Sequence, residues 1–165
     1  MEAAMTKATV AIVFALACGM MPGQALAAWA VKTAVAKTDR TPTYVARVYS
    51  TNTMLTAAGI PRQAQFIVRC RAGKLDLYVS WPDNMGANFH DVHWRFDDGQ
   101  MREDHWSSSE DGTGSFVREQ GSFLNGLKNA KELVVAAPAS QAEMEFNVSG
   151  ADQVVQTATS SCAVQ

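Results

Sequence analysis

Apolar residues recur at every second position between Phe66 and Phe96, which is the spacing of half-buried β-strands. The three alternating sets are Phe66/Val68/Cys70, Leu75/Leu77/Val79/Trp81 and Val92/Trp94/Phe96. Residues 71–74 contain a glycine and join the first two sets, and Asp97-Asp98-Gly99 follows the third, so turns separate the sets from their neighbours. This stretch predicts a β-meander with Cys70 on the inward side of its first strand.

The same alternation continues on both sides of the meander. It predicts a first strand over 44–49, a fourth strand of the meander over 101–106, and a second hairpin formed by 131–137 and 141–148. Both faces of 101–106 are mixed, which is typical of an edge strand or of a strand with one wet side. Residues 107–114 are polar and are expected to form a loop.

Two segments have helical spacing instead. A short amphipathic helix is predicted from one shared face that contains Phe116, Gln120, Phe123, Leu124 and Leu127. A C-terminal helix capped by Ser149 is predicted from a second face that contains Val154, Val155, Ala158 and Cys162. The predicted fold is therefore α+β and mainly β: an antiparallel sheet or sandwich-like domain with one or two packed helices.

The first 27 residues have the pattern of an export signal. Lys7 precedes an apolar run over 8–21, and Ala25-Leu26-Ala27 provides a small-x-small cleavage site. The run is shorter than the roughly 20 residues that a membrane-spanning helix needs. We expect cleavage after Ala27, a flexible mature N-terminus over 28–43, and a single β-rich domain over 44–165. A retained anchor, or a lipoprotein attached through Cys18, is the alternative.

Cys70 and Cys162 remain once Cys18 has left with the signal. Two cysteines in an oxidising compartment allow one intramolecular pairing, and we predict a Cys70–Cys162 disulfide. Closing a loop of about 92 residues would stabilise the fold by about 4–5 kcal/mol in the chain-entropy model. A free buried thiol is the alternative for either cysteine taken alone.

Charge and motifs favour no enzyme class. The formal net charge of −2 does not point to nucleic acid. His90 and His93 are three residues apart, so on a strand they would face opposite sides and would share a metal only if His90 lay in the loop before the strand. With His105 nearby, a metal-dependent hydrolase is the alternative to a non-enzymatic protein. The chain contains neither a G-x-S-x-G motif nor a phosphate-binding glycine loop. We therefore assign no catalytic, cofactor-binding or metal-binding residue.

The outward face of the meander carries the candidate binding residues. If the apolar sets face inward, the opposite face collects Arg69, Arg71, Tyr78, His93 and Arg95. Arginine and aromatic side chains together suit a protein interface or an anionic glycan. The alternative is that a solvated sheet face simply carries charge.

Several short motifs occur in a recognisable order along 66–162. They are residues 66–70 (FIVRC), 75–81 (LDLYVSW), 92–99 (VHWRFDDG), 123–127 (FLNGL), 146–150 (FNVSG) and the terminal Cys162. In this order they resemble the VasI/TagO-type family of type VI secretion-associated periplasmic proteins.

The resemblance implies a non-enzymatic accessory role at the cell envelope, exerted by protein–protein contact. The partner would be an envelope or secretion-system protein, not nucleic acid, and the mature protein would be periplasmic or secreted without stable membrane insertion. The alternative is a periplasmic inhibitor of lysozyme-like hydrolases, because membrane-bound lysozyme inhibitors also pair an early strand cysteine with a C-terminal one. Their Ser-Gly-x-x-Tyr-type loop has no match in 107–116.

Overall fold

The computed structural model describes residues 29–35, 37 and 40–163, so the predicted signal over 1–27 and its cleavage after Ala27 lie outside the described residues. The strands are β1 (Ala30–Val35), β2 (Pro42–Tyr49), β3 (Met54–Leu55), β4 (Pro61–Arg62), β5 (Gln65–Arg71), β6 (Lys74–Ser80), β7 (Phe89–Phe96), β8 (Arg102–Ser108), β9 (Gly114–Phe116), β10 (Glu132–Ala136) and β11 (Glu143–Asn147). The helices are α1 (Gln120–Leu127) and α2 (Ala151–Ala163).

Nine of these strands form one antiparallel sheet in the order β1-β2-β5-β6-β9-β8-β7-β10-β11. The predicted β5–β6 and β10–β11 hairpins are confirmed. The meander is only partly correct, because β8 and β9 lie between β6 and β7. The sequence pattern predicts a loop up to residue 114 and a helix that includes Phe116. In the structure Gly114–Phe116 is instead the strand β9.

β8 is an internal strand, with β7 on one side and β9 on the other. Its mixed pattern therefore reflects a strand with one solvent-exposed face and not an edge strand. Glu103 and His105 are exposed to solvent, whereas Trp106 is buried in the core. The polar residues of β8 mark an outer face, not an edge.

β11, at one end of the sheet, meets the end of β2. Ser50, directly after β2, bridges to Phe146 on β11, and the Thr51 amide donates to the Glu145 carbonyl at 2.7 Å. Eight strands therefore form a closed ring, in the order β2-β5-β6-β9-β8-β7-β10-β11. β1 lies outside the ring against β2, and β3 and β4 form a separate two-stranded sheet. The alternating apolar side chains point inward and form the core, as their period predicted.

The N-terminal segment differs from the flexible tether predicted over 28–43. It contains β1, which pairs with β2 from Ala30 opposite Arg47 to Val35 opposite Pro42. All six residues of β1 are exposed, so the strand has no alternation of apolar positions by which it could be recognised. Trp29 docks beside it, with Nε1 donating to the Ser149 carbonyl at 3.2 Å.

Both helices cover the core. α1 buries Phe123 and Leu127, and the Phe123 ring contacts four other rings at centroid distances of 4.8 to 6.0 Å. α2 packs against β2 and β5 through Val154, Val155 and Ala158. The predicted α+β, mainly β, class is confirmed.

The predicted disulfide is also confirmed: Cys70 and Cys162 are bonded, with their Cα atoms 5.7 Å apart. It fixes the last turn of α2 to β5. Within the described part of the chain, no helix has the length and apolar character needed to cross a membrane.

Candidate functional site

A row of cross-strand neighbours runs over the outer face of five strands. Its members, each opposite the next, are Ile67 on β5, Tyr78 on β6, Phe116 on β9, Ser107 on β8 and Phe89 on β7. The rings of Tyr78 and Phe116 stack with their centroids 4.6 Å apart. Phe89 is 61% exposed, which is unusual for a phenylalanine. We call Tyr78, Phe116 and Phe89 the aromatic row.

Two arginines lie over this row. The Arg69 guanidinium is 5.2 Å from the centre of the Tyr78 ring, and that of Arg118 is 5.3 Å from the centre of Phe89. Burial raises the pKa of the Tyr78 hydroxyl above its usual range, and the positive charge of Arg69 partly opposes that rise. Arginine and aromatic side chains thus alternate over one outer surface, which we call the arginine–aromatic face.

A cleft of about 490 Å³ opens within this face. It forms where β9 ends at Phe116 and the chain turns away into α1, so that β6 and β8 are no longer joined. The residues that line it include Arg69, Lys74, Asp76, Phe116, Arg118 and Gln120. We call this space the cationic cleft.

Asp76 organises the positive charges at the cleft. Its carboxylate accepts a hydrogen bond from Arg69 Nη2 at 2.7 Å and lies 3.5 Å from Lys74 Nζ. Asp76 is itself nearly buried, so the two cations satisfy a carboxylate that could not be left unpaired at low cost. Arg71, opposite Lys74 at the end of the hairpin, is exposed and adds a further positive charge.

The structure brings together only part of the predicted interface. Arg69 lines the cationic cleft, and Arg71 and Tyr78 lie near it on the same β5–β6 hairpin. His93 and Arg95 lie on β7, which β9 and β8 separate from β6. His93 is 3.5 Å from a Glu103 oxygen, and Arg95 is 3.5 Å from a Glu132 oxygen and bonds the Asp97 carbonyl.

The sequence patterns did not identify Phe116, Phe89 and Arg118 as candidate binding residues. Phe116 is in a strand of three residues, too short for a recognisable period, and it also matches the helical spacing of the residues after it. Phe89 precedes the predicted start of its strand by two residues. Alternation from Phe89 through Asp91, His93 and Arg95 is the signal that would have placed it on the outer face.

His90 belongs to a buried network rather than to a metal site. Ser115 Oγ accepts a hydrogen bond from Trp81 Nε1 at 2.7 Å and lies 2.6 Å from His90 Nδ1. His90 Nε2 is 3.1 Å from the Gly86 carbonyl, which can only accept, so in the neutral imidazole Nε2 carries the proton and Nδ1 accepts from the serine hydroxyl. Ser115 is completely buried and cannot meet a substrate.

The three histidines do not converge. His90 points inward, whereas His93 and His105 lie on the outer face with Glu103 and Asp91. Over residues 29–35, 37 and 40–163, no three His, Cys, Asp or Glu side chains are grouped so that they could hold a metal ion.

The loop that contains Asp83 and the turn that contains Asp111 meet at the end of the β8–β9 hairpin. Asp111 Oδ1 accepts hydrogen bonds from Ser109 Oγ at 2.6 Å, from the Thr113 amide at 3.0 Å and from Thr113 Oγ1 at 2.8 Å. These donors favour the ionised form and lower the pKa of Asp111 to about 2. Amides of Ala57 and Asn84 lower the pKa of Asp83 in the same way.

A second groove, of about 740 Å³, lies between α1 and the end of the β7–β8 hairpin. Trp94 forms part of its wall and donates from Nε1 to Asp104 at 2.7 Å, while Arg102 lies 5.4 Å from the centre of the Trp94 ring. Arg95 also lines this groove. Two of the motifs that support the family resemblance, at 92–99 and 123–127, therefore pack against each other here.

Comparison with known proteins shows the fold alone. No family model matches the chain, and no curated protein matches its sequence. The crystal structure of invasion associated protein B from Bartonella henselae is similar, with a TM-score of 0.50 and 11% identity over 80% of this chain and 92% of that one. At this identity the likeness extends to the arrangement of strands and helices and not to an activity.

Proposed function

We propose that this chain is an exported accessory protein of the cell envelope that works by protein–protein contact and is not an enzyme. Its contact surface is the arginine–aromatic face. The observation that carries the proposal is the placement of Arg69 and Arg118 over the aromatic row, with Phe89 largely exposed. Arginine and aromatic residues are enriched at protein interfaces and dominate their binding energy.

The disulfide supports export, because such bonds persist in the periplasm and outside the cell and are rare in the cytosol. Together with the signal pattern over 1–27, it supports a periplasmic or secreted protein that is cleaved after Ala27. The motif resemblance points to an accessory role in type VI secretion. The partner would then be an envelope or secretion-system protein.

Crosslinking in intact cells tests the contact surface. Arg118→Glu and Phe89→Ala alter exposed parts of the face without removing a core side chain, so both should reduce the crosslinked partner by about tenfold. Arg62→Glu, on the exposed β4 strand, is the matched control and should leave the partner unchanged. Equal capture by all three variants, each with the thermal unfolding midpoint of the parent, would remove the face from the proposal.

The same preparation tests export. The protein recovered from the envelope should have the mass of a chain beginning at Ala28, with two cysteines oxidised. An uncleaved chain with free thiols would contradict the proposed compartment.

A further inference from the structure

We infer that the cationic cleft binds an extended acidic peptide segment of the partner, which adds to the open edge of β6. The inference rests on the proposed function and specifies the chemistry of the partner. It concerns one part of the arginine–aromatic face, bounded by Arg69, Lys74, Phe116 and Arg118.

The open edge follows from the short length of β9. β9 pairs with β6 only at Tyr78–Ser80, after which the Val117 amide donates to the Leu77 carbonyl at 2.9 Å and the chain leaves the sheet. Within the described residues, no strand lies beside Lys74–Asp76 on this side. β6 is therefore paired with both β5 and β9 over about half of its length, and with β5 alone over the other half.

The backbone of β6 has donors and acceptors directed to this open side. In a strand, the amide and carbonyl of one residue point to the same neighbour and those of the next residue point to the opposite one. Because the Leu77 carbonyl faces β9, the amide and carbonyl of Leu75 face the same way. An extended segment lying in the cleft can bond both groups, as in β-strand addition. The free stretch, Lys74–Asp76, is about 10 Å long, enough for about three residues.

The charges around the cleft select acidic side chains. Arg69, Lys74 and Arg118 line it, and among the described residues that line it Asp76 is the single carboxylate. Three positive charges and one negative charge leave an excess of two, in a chain whose formal net charge is −2. Glutamate or aspartate at alternate positions of the segment would meet these cations, and the residue beside Phe116 would pack on its ring.

The strand edge distinguishes a peptide from an anionic glycan. A glycan can use the arginines and aromatic rings, but it has no regular series of amides and carbonyls to match those of a strand. The coincidence of positive charge with an unpaired strand edge therefore favours a peptide.

Binding of synthetic heptapeptides to the mature protein tests the inference. The probe is a set of peptides that alternate glutamate with valine or tyrosine, and the controls replace glutamate with lysine or carry N-methyl groups on the backbone amides. The glutamate peptides should bind in the range of about 10–100 μM, and both control sets should bind about tenfold more weakly. Lys74→Glu and Arg118→Glu should have a similar effect, whereas Arg62→Glu should have none.

Hydrogen exchange provides a readout that charge attraction alone would not change. The Leu75 amide should exchange more slowly when the glutamate peptide is bound, while exposed amides of β1 should be unaffected. Equal affinity for the N-methylated peptides, or binding of polygalacturonate with no binding of any glutamate peptide at about 1 mM, would overturn the inference. If the peptides fail but Arg118→Glu still abolishes crosslinking in cells, the contact surface stands and the peptide assignment alone is wrong.

Discussion

Gly126 on α1 packs directly against the Phe96 ring on β7. A Cβ atom at position 126 would lie 2.6 Å from Phe96 Cε2, which no relaxed structure permits. Phe96 is in turn held by Trp94 and Phe123, at centroid distances of 5.2 and 4.9 Å. Gly126 is therefore required by packing, because a side chain would not fit against Phe96. It does not mark the end of the helix, as a glycine in a sequence often does.

Gly126→Ala should lower the free energy of unfolding by about 1–3 kcal/mol, because the methyl group forces the Phe96 ring to move within a packed cluster. Gly121→Ala is the matched control. No atom lies within 4 Å of a Cβ at that position, so the same change should raise stability by up to about 1 kcal/mol through helix propensity. Urea denaturation of both variants measures the difference, and equal effects would contradict the contact.

Asp111 should make stability depend on pH in the acid range. Its pKa is lowered to about 2 in the folded protein from an ordinary value near 3.8, so its contribution is fully present above about pH 4 and is lost as the pH falls through 2. Asp111→Asn should therefore be less stable than the parent at about pH 6, and the gap should narrow at about pH 2.5.

Asp98→Asn, in the exposed turn after β7, is the control. It removes a carboxylate that does not accept the Ser109 and Thr113 hydrogen bonds. Chemical denaturation at both pH values measures the two variants. A gap for Asp111→Asn that stays constant between the two pH values would show that the Ser109 and Thr113 hydrogen bonds do not depend on its charge.

Local geometry at single residues was largely predictable. Alternation placed Arg69, Arg71 and Tyr78 on the outer face and His90 and His93 on opposite faces, because these relations depend on strand period alone. The grouping of Arg69 with Phe116 and Arg118 depends on which strand lies beside β6. No local pattern contains that information.

At the scale of elements, the two hairpins and the C-terminal helix were predicted because each has a clear period and a turn at its end. β1 and β9 were not. The first is exposed over its whole length, and the second has three residues, so neither produces an alternation of polar and apolar positions. Both are defined by pairing with a neighbour, not by their own residues.

α2 depends on the disulfide at one end. Cys70→Ala with Cys162→Ala should lower the free energy of unfolding by about 2–5 kcal/mol, because the link closes a long loop in the unfolded chain. Amide exchange should also become faster in the last turn of α2, which loses its connection to β5. Guanidinium denaturation and exchange measured by mass spectrometry report the two effects.

Cys162→Ala alone should be as destabilising as the double variant, since either change removes the same link. An unchanged denaturation midpoint in the double variant would show that the packing of Val154, Val155 and Ala158 suffices to hold α2.

For the whole molecule, class and cysteine pairing followed from the sequence, whereas strand order and closure did not. Two cysteines leave one pairing, and alternating strands with few helical segments define the class. The order β6-β9-β8-β7 and the bridge between Ser50 and Phe146 join segments far apart in the chain. A single sequence contains no record of such contacts.

The closure between Ser50 and Phe146 also affects how the chain folds. The ring is incomplete until β11 has been made, so the bridge from the end of β2 to β11 forms late, although β2 can pair with β1 and β5 earlier. Folding that depends on contacts of this sequence separation is slow, on the order of milliseconds to seconds for small β-rich domains. We therefore expect the sheet to close, and the chain to become fully protease-resistant, only after β11 has been synthesised.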